Sequence, residues 1–186
     1  MNSWHIKLAS RCVARGGVIA YPTEAVYGLG CSPWDPAAVR RILALKRRRP
    51  DKGLIVVAAS FDQLEPLIDT TQPIPWDFVL ASWPGPVTWI LPAKKQVPTL
   101  LRGGHGGVAV RVSAHPIVQA LCRSAGMLIS TSANPEGQAP AKSAFRVRAY
   151  FGDRLDYILT GPIGDSLGPT AIRDALTGRL IRSVQK

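Results

Sequence analysis

The sequence predicts an α/β domain (α+β in strict usage) in which helices flank one largely buried, mixed β-sheet. Two observations predict the layering. Short apolar runs such as Val18 to Tyr21, Leu54 to Ala58 and Met127 to Ser130 read as strands, and stretches with helical apolar spacing alternate with them. A third observation sets the size: 186 residues without an internal repeat, a low-complexity tract or an interdomain linker fit a single domain spanning 1–186. A chain of that length buries roughly 70% of its unfolded surface, so it builds its core without staples.

Ile6, Leu8, Ala9, Cys12 and Val13 recur at helical spacing from Ser3 to Arg15, and Gly16-Gly17 stops that helix. Val18 to Tyr21 is the first strand, and Pro22 is expected to end it. Thr23 to Gly30 then reads as a loop in which Gly28 and Gly30 permit a special backbone or a close approach. Two readings of that loop stand: a ligand-contacting strand end, or an ordinary strand-to-helix connection. Asp35-Pro36 caps and opens a helix through Val39, Ile42, Leu43 and Leu45, with Lys46 to Arg49 on its last turn. Leu54 to Ala58 is a strand, Ser60 caps a short helix, and Pro75 opens another that ends near Trp83 to Pro86.

Val87 to Leu91 and Val108 to Val112 are strand-like, and the long loop between them, Pro92 to Gly107, ends in GGHGG. His115 to Ala125 reads as a helix closed by Gly126, and Ser143 caps a helix to Phe151. Tyr157 to Leu159 is a strand, and a hairpin turns at Thr177-Gly178 with Arg179 to Val184 returning.

Composition narrows the function. No signal-peptide pattern opens the chain and no apolar run is long enough to span a bilayer, so a soluble cytoplasmic protein is expected. Cys12, Cys31 and Cys122 have no metal-ligand or CxxC spacing and read as reduced, packed thiols. The formal charge is +11, and Arg40 to Lys52 supplies more than half of it, with seven bases against Asp51 alone. Such a field attracts nucleotide phosphates or an RNA backbone, although a solvated helix face has the same composition.

Polar residues gather at strand ends: Thr23 after the first, Arg111 in the fourth, Ser132 and Asn134 after the fifth. The stretch MLISTSAN, Met127 to Asn134, opens an apolar strand into hydroxyl and amide groups that donate to phosphate oxygens; an Asx-type turn before Pro135 is its plainer reading. Walker A, GxGxxG and HExxH patterns are all missing from the sequence. Glu24 is the only acid among the motif residues, which leaves little for carboxylate acid–base work. A site rich in Lys, Arg, Ser, Thr and Asn suits chemistry done by positioning and charge neutralisation, as in phosphoryl and nucleotidyl transfer.

With these residues assembled, the chain closely resembles the YrdC family of threonylcarbamoyl-AMP synthases in its short, single-domain bacterial form. YPTEAVYGLG at Tyr21, the KxR of Lys46 and Arg48, KGLIVVAA at Lys52, WPGPVTWIL at Trp83, VAVRVSAHP at Val108, STSAN at Ser130 and AIRDALTG at Ala171 carry the resemblance, in the family's order. It implies a twisted mixed sheet with a basic cavity, and a nucleotidyltransferase joining L-threonine, bicarbonate or CO2, and ATP. The products are threonylcarbamoyl-AMP and pyrophosphate, the first step of a tRNA modification at adenosine 37. Mg2+ accompanies the ATP as its only cofactor, and a separate transferase complex takes the product.

By motif, the resemblance assigns Lys46, Arg48, Ser132 and Asn134 to a catalytic tetrad in the nucleotide cavity. It assigns Thr23, Arg111, Ser132 and Thr170 to threonine, and Arg48, Lys52, Asn134, Lys142 and Arg182 to the nucleotide. Relatives read KxRP, whereas here Arg49 follows Arg48 and Pro50 comes one later, which leaves the register of Arg47 to Arg49 open. Where many relatives have Asn-Pro and a downstream histidine, this chain has Lys52-Gly53 and Val57. The rival expectation is a binding module for tRNA or double-stranded RNA that performs no reaction.

Overall fold

The computed structural model describes residues 3–166 and 168–183. Nine strands make one mixed sheet: β1 (Ile19–Pro22), β2 (Tyr27–Gly30), β3 (Ile55–Ala58), β4 (Val87–Pro92), β5 (Gly107–Val112), β6 (Leu128–Ser132), β7 (Tyr157–Ile158), β8 (Ala171–Asp174) and β9 (Leu180–Arg182). Their order across the sheet is β7-β1-β2-β6-β3-β5-β4-β8-β9. β1 pairs parallel to β7, β3 to β5, and β4 to β8, while the other neighbours run antiparallel.

Side-chain alternation along the strands explains the layers. In β1, Ile19 and Tyr21 face one apolar cluster and Ala20 the other; in β3, Val57 opposes Val56 and Ala58; in β6, Leu128 opposes Ile129. The smaller cluster is closed by α1 (Ser3–Ala14) and α6 (Pro116–Ala125), and the larger by α2 (Pro36–Lys46), α3 (Phe61–Leu64), α4 (Trp76–Ala81), α5 (Thr99–Arg102) and α7 (Ala144–Phe151). Both faces of the central strands are therefore buried, which is why they read as unbroken apolar runs. On the first face, α1 and α6 pack over β1, β3 and β7. The continuation of that face over β5, β4 and β8, where Ala109, Arg111, Ile90 and Ile172 lie, lines a cleft instead.

Several expected elements hold with their signals. The Asp35 carboxylate accepts from Ala37 and Ala38 N–H at 2.9 and 3.1 Å, a cap that typically stabilises a helix by about 1 kcal/mol. The Ser143 hydroxyl accepts from Arg146 N–H at 3.2 Å. The β8–β9 hairpin turns where Thr177-Gly178 predicts, while Val184 lies outside the described residues.

Three expectations need correction. Tyr27 to Gly30 is a strand, not a loop: it pairs with β1 on one side and β6 on the other. Its glycines serve close approach, since a Cβ on Gly30 would lie 2.6 Å from the Ile129 carbonyl and 2.7 Å from the Tyr21 ring. Lys46 to Arg49 do not share a helical turn. Lys46 ends α2, and Arg47 takes the left-handed conformation (φ 53°), which swings Arg48 and Arg49 off the helix. Finally, the segment from Pro92 to Gly107 is no free loop. It holds α5, buries Val97 and Leu101, and is tied down by bonds from Leu54 N–H to Leu101 O and Gly104 N–H to Asp51 O.

Candidate active site

The cleft has a volume of about 330 Å³ and is lined by the tip of the β1–β2 hairpin, the ends of β3, β5 and β6, and the β8–β9 hairpin. Its charged lining consists of Arg48, Lys52, Arg102, Arg111 and Arg182, against Glu24 as the one carboxylate among the described residues. Five cations facing one acid make a site for a polyanion.

The left-handed turn at Arg47 resolves the register of the arginine run. Lys46 is buried, Arg47 is exposed, Arg48 enters the cleft, and Arg49 pairs with Asp51 at 2.5 Å in solvent. Arg48 Nη2 donates to the carbonyls of Gly53 at 3.0 Å and Lys52 at 3.3 Å, while its buried Nε has no partner. Burial lowers its pKa, against the charges of Glu136 and Asp51, which raise it.

Lys46 behaves differently. Its ammonium donates to Ser132 O at 2.5 Å, Asn134 O at 2.9 Å and Asn134 Oδ1 at 3.2 Å, and lies 3.5 Å from Ser132 Oγ. Ser132 Oγ donates to Asn134 Oδ1 at 2.6 Å, and the Asn134 amide donates to the Pro135 and Gln138 carbonyls. This buried cluster joins the end of α2 to the end of β6. Burial, with the Arg48 charge behind it, pushes Lys46 down to about 8. Ser132 lines the cleft, whereas Lys46 and Asn134 stand behind it.

Of the residues expected at threonine, Thr23, Arg111, Ser132 and Thr170 all line the cleft. Thr23 Oγ1 donates to Val26 O at 2.7 Å, closing the hairpin tip, and Thr170 Oγ1 lies 3.1 Å from Thr88 Oγ1. Arg111 forms a buried ion pair with Glu24, its Nη1 lying 2.5 Å from Oε1. Burial raises the Glu24 carboxyl, but the Arg111 charge and the bonds from Arg111 and Ser113 outweigh it and hold the group below its usual range. Val57 stands beside Arg111 in the sheet, fully buried under α1 and α6, and does not line the cleft.

Arg182 lines the far wall and donates to Thr170 O from Nη2 at 2.9 Å. Burial, then the nearby Arg111 and Arg48 charges, lowers its pKa. Lys52 lines the same cleft and stands 3.9 Å from Glu136, while Lys142 is exposed and is not among the lining residues. The sequence reading missed Arg102 and the anchoring of Glu24. The GGHGG segment was the signal for the first, since Arg102 and His105 both line the cleft from it.

The family model for Sua5, YciO and YrdC, described as "Telomere recombination", matches residues 11–183. The chain belongs to the Sua5/YciO/YrdC family. It is 50% identical over 182 residues to a protein of Pseudomonas aeruginosa named threonylcarbamoyl-AMP synthase, covering 98% of each chain. A protein of the same name from Alkalilimnicola ehrlichii is 54% identical over 180 residues, covering 93% of this chain and 94% of that one. Among solved structures, the family member Sua5 of P. abyssi in complex with L-threonine superposes with a TM-score of 0.89 at 34% identity, covering 98% of this chain and 54% of that one. The chain thus spans about half the length of that archaeal protein. YciO of E. coli gives a TM-score of 0.83 at 27% identity, covering 98% and 90%.

Proposed function

We propose that this chain is a threonylcarbamoyl-AMP synthase, converting L-threonine, bicarbonate or CO2, and ATP into threonylcarbamoyl-AMP and pyrophosphate. The observation that carries the reading is the joining of Lys46 to Ser132 and Asn134 beside a cleft whose cations outnumber its single acid. It places the KxR and SxN motifs, 86 residues apart, on one wall. The near full-length identity to two proteins of that name supports the same reading.

In the reaction, the threonine amine adds to the carbon of CO2 and loses a proton, giving a carbamate. A carbamate oxygen then attacks the α-phosphorus of ATP as the bond to the β-phosphate oxygen breaks and pyrophosphate leaves. Arg48, Lys52 and Arg182 offset the triphosphate charge, which favours both the approach of an anionic nucleophile and the departure of pyrophosphate. Arg111 takes the threonine carboxylate, with Thr23, Ser132 and Thr170 around the rest of the amino acid. The threonine complex of the archaeal relative supports threonine as substrate. Because the nucleophile arrives as an anion, the site works without a carboxylate base.

Mg2+ belongs with ATP in this reading. The cleft's carboxylate is already held by Arg111 and Ser113, and among the described residues no cluster of three His, Cys, Asp or Glu side chains is placed to hold a metal. In this reading the ion would be carried by the phosphate oxygens, where it would neutralise charge. Among the described residues no helix is long and apolar enough to cross a membrane. We place the enzyme in the cytoplasm, passing its product to a transferase complex that acts on tRNA.

The test is to incubate the protein with ATP, Mg2+, bicarbonate and each amino acid in turn, measuring pyrophosphate and adenylate. Product with threonine alone is expected. Absence of pyrophosphate, together with salt-sensitive binding of tRNA or double-stranded RNA, would replace the enzyme by an RNA-binding module.

A further inference from the structure

Glu24 has no part in the phosphoryl chemistry, yet its carboxylate is buried in the cleft wall and held at one oxygen, Oε1. Its Oε1 accepts from Ser113 Oγ at 2.6 Å, and Ser113 Oγ accepts in turn from His115 N–H at 3.1 Å. The ionised Glu24 carboxylate can only accept, so the hydroxyl proton of Ser113 points at it. The Glu24 main chain is gripped from the opposite side, since Ser166 N–H donates to Glu24 O at 3.0 Å and Gly164 N–H to Thr23 O at 2.9 Å. Gly164 approaches so closely that a Cβ there would meet Glu24 O at 2.8 Å.

Arg111 is the converse. It is only 5% exposed, and its Nε is buried without a partner. Its one counter-ion among the described residues is Glu24. A long side chain in that state has rotamer freedom to lose, and a buried charge without its partner is costly.

We propose that Glu24 is the positioning residue for Arg111: it presets the guanidinium that receives the amino-acid carboxylate, and so sets threonine affinity rather than nucleotide affinity. The inference rests on the reading of Arg111 as the carboxylate arm. Glu24 acts through Arg111 and not on the reacting atoms. The ion pair is also neutral as a unit, so the amino-acid side of the cleft holds a directed donor without adding repulsion to the cations on the nucleotide side.

The test compares Glu24→Gln, which keeps the shape and the acceptor for Ser113, with Arg111→Lys and the wild type. Glu24→Gln is expected to raise KM for threonine roughly tenfold with KM for ATP little changed, and to lower the melting temperature because the buried Arg111 charge loses its counter-ion. Ser113→Ala, which frees the carboxylate without removing it, should give a smaller rise of the same selectivity. A second readout needs no turnover: the Arg111 Nε–H resonance of the free protein should be sharp and slow to exchange in the wild type, and broadened in Glu24→Gln. If threonine KM rises in Arg111→Lys but not in Glu24→Gln, the positioning role is overturned while the carboxylate arm stands. If Arg111→Lys leaves threonine KM unchanged, the carboxylate arm fails, and the Nε–H signal alone decides whether Glu24 holds Arg111. An equal rise in both substrates' KM would reduce Glu24 to a general structural part.

Discussion

The two walls of the cleft are built to different standards. On one side, β1 and β2 are buried at every position, β6 follows them, and Lys46 pins its end from behind. On the other, β8 is half-buried throughout and β9 is mostly exposed, with Leu180 and Ile181 in solvent and Arg182 reaching back over Thr170. Under the proposed reaction the contrast is a division of labour: the packed wall would set where the reacting atoms sit, and the exposed wall would add charge. Lys46 and Arg48 show it at close range. They are two residues apart and equally charged, but one is spent on protein oxygens while the other is presented to the cleft.

The largest effect that would break this comparison belongs to Arg48, which lines the cleft where the proposed triphosphate would lie. Arg48→Ala should lower threonine-dependent pyrophosphate release by about 100- to 1,000-fold without loss of the fold, read by steady-state kinetics and a thermal melt. Next comes Lys46→Met, which leaves the Ser132 and Asn134 oxygens without their donor. It should cost about 1–3 kcal/mol in denaturant unfolding and lower kcat as Ser132 loses its place. Arg48→Ala and Lys46→Met therefore separate: the first harms activity alone, the second harms stability as well.

The titration of Lys46 sharpens the same point. Its folded pKa, about 8, lies below the ordinary value of 10.5, so between those two pH values the unfolded chain binds more protons and this group makes stability rise with pH. Activity should move the other way, falling roughly tenfold per pH unit above about 8 as the ammonium that holds Ser132 and Asn134 loses its proton. Parallel pH profiles of turnover and melting temperature check the opposite signs. The smallest effect is expected on the β8–β9 wall, where Arg182→Ala should raise KM for ATP by roughly threefold with kcat nearly unchanged, because Arg48 and Lys52 remain in the cleft to offset the same charge.

Much of this was legible in the residues. Asp35-Pro36, Ser143 and Thr177-Gly178 mark their caps and turn because each signal is local. The KxR and SxN motifs pointed to one wall, and the structure joins them. The β2 strand was not legible, since YGLG carries two residues that strands avoid, and the reason for Gly30, the Tyr21 ring and the Ile129 carbonyl, comes from elsewhere in the chain. Pro22 misled in the same way. It stays in the ladder because the Thr23 to Val26 bond makes the Pro22–Tyr27 pair one that needs no donor from β1. The roles of Lys46 and Glu24 were equally hidden, because sequence records a charge and not the partner that uses it.

After β7, at one border of the sheet, the chain must travel to β8 near the other. On the way it bonds the Tyr27 hydroxyl at Gly161, Thr23 at Gly164 and Glu24 at Ser166, then lines the cleft with Gly168, Pro169 and Thr170. The pathway that finishes the sheet is therefore also one that lines the cleft. During synthesis, the hairpin, β6 and the Lys46 clamp are all translated before this traverse exists, and the far wall forms only after residue 182 has left the ribosome. The residues of the anchoring parts are thus synthesised before those that complete the cleft.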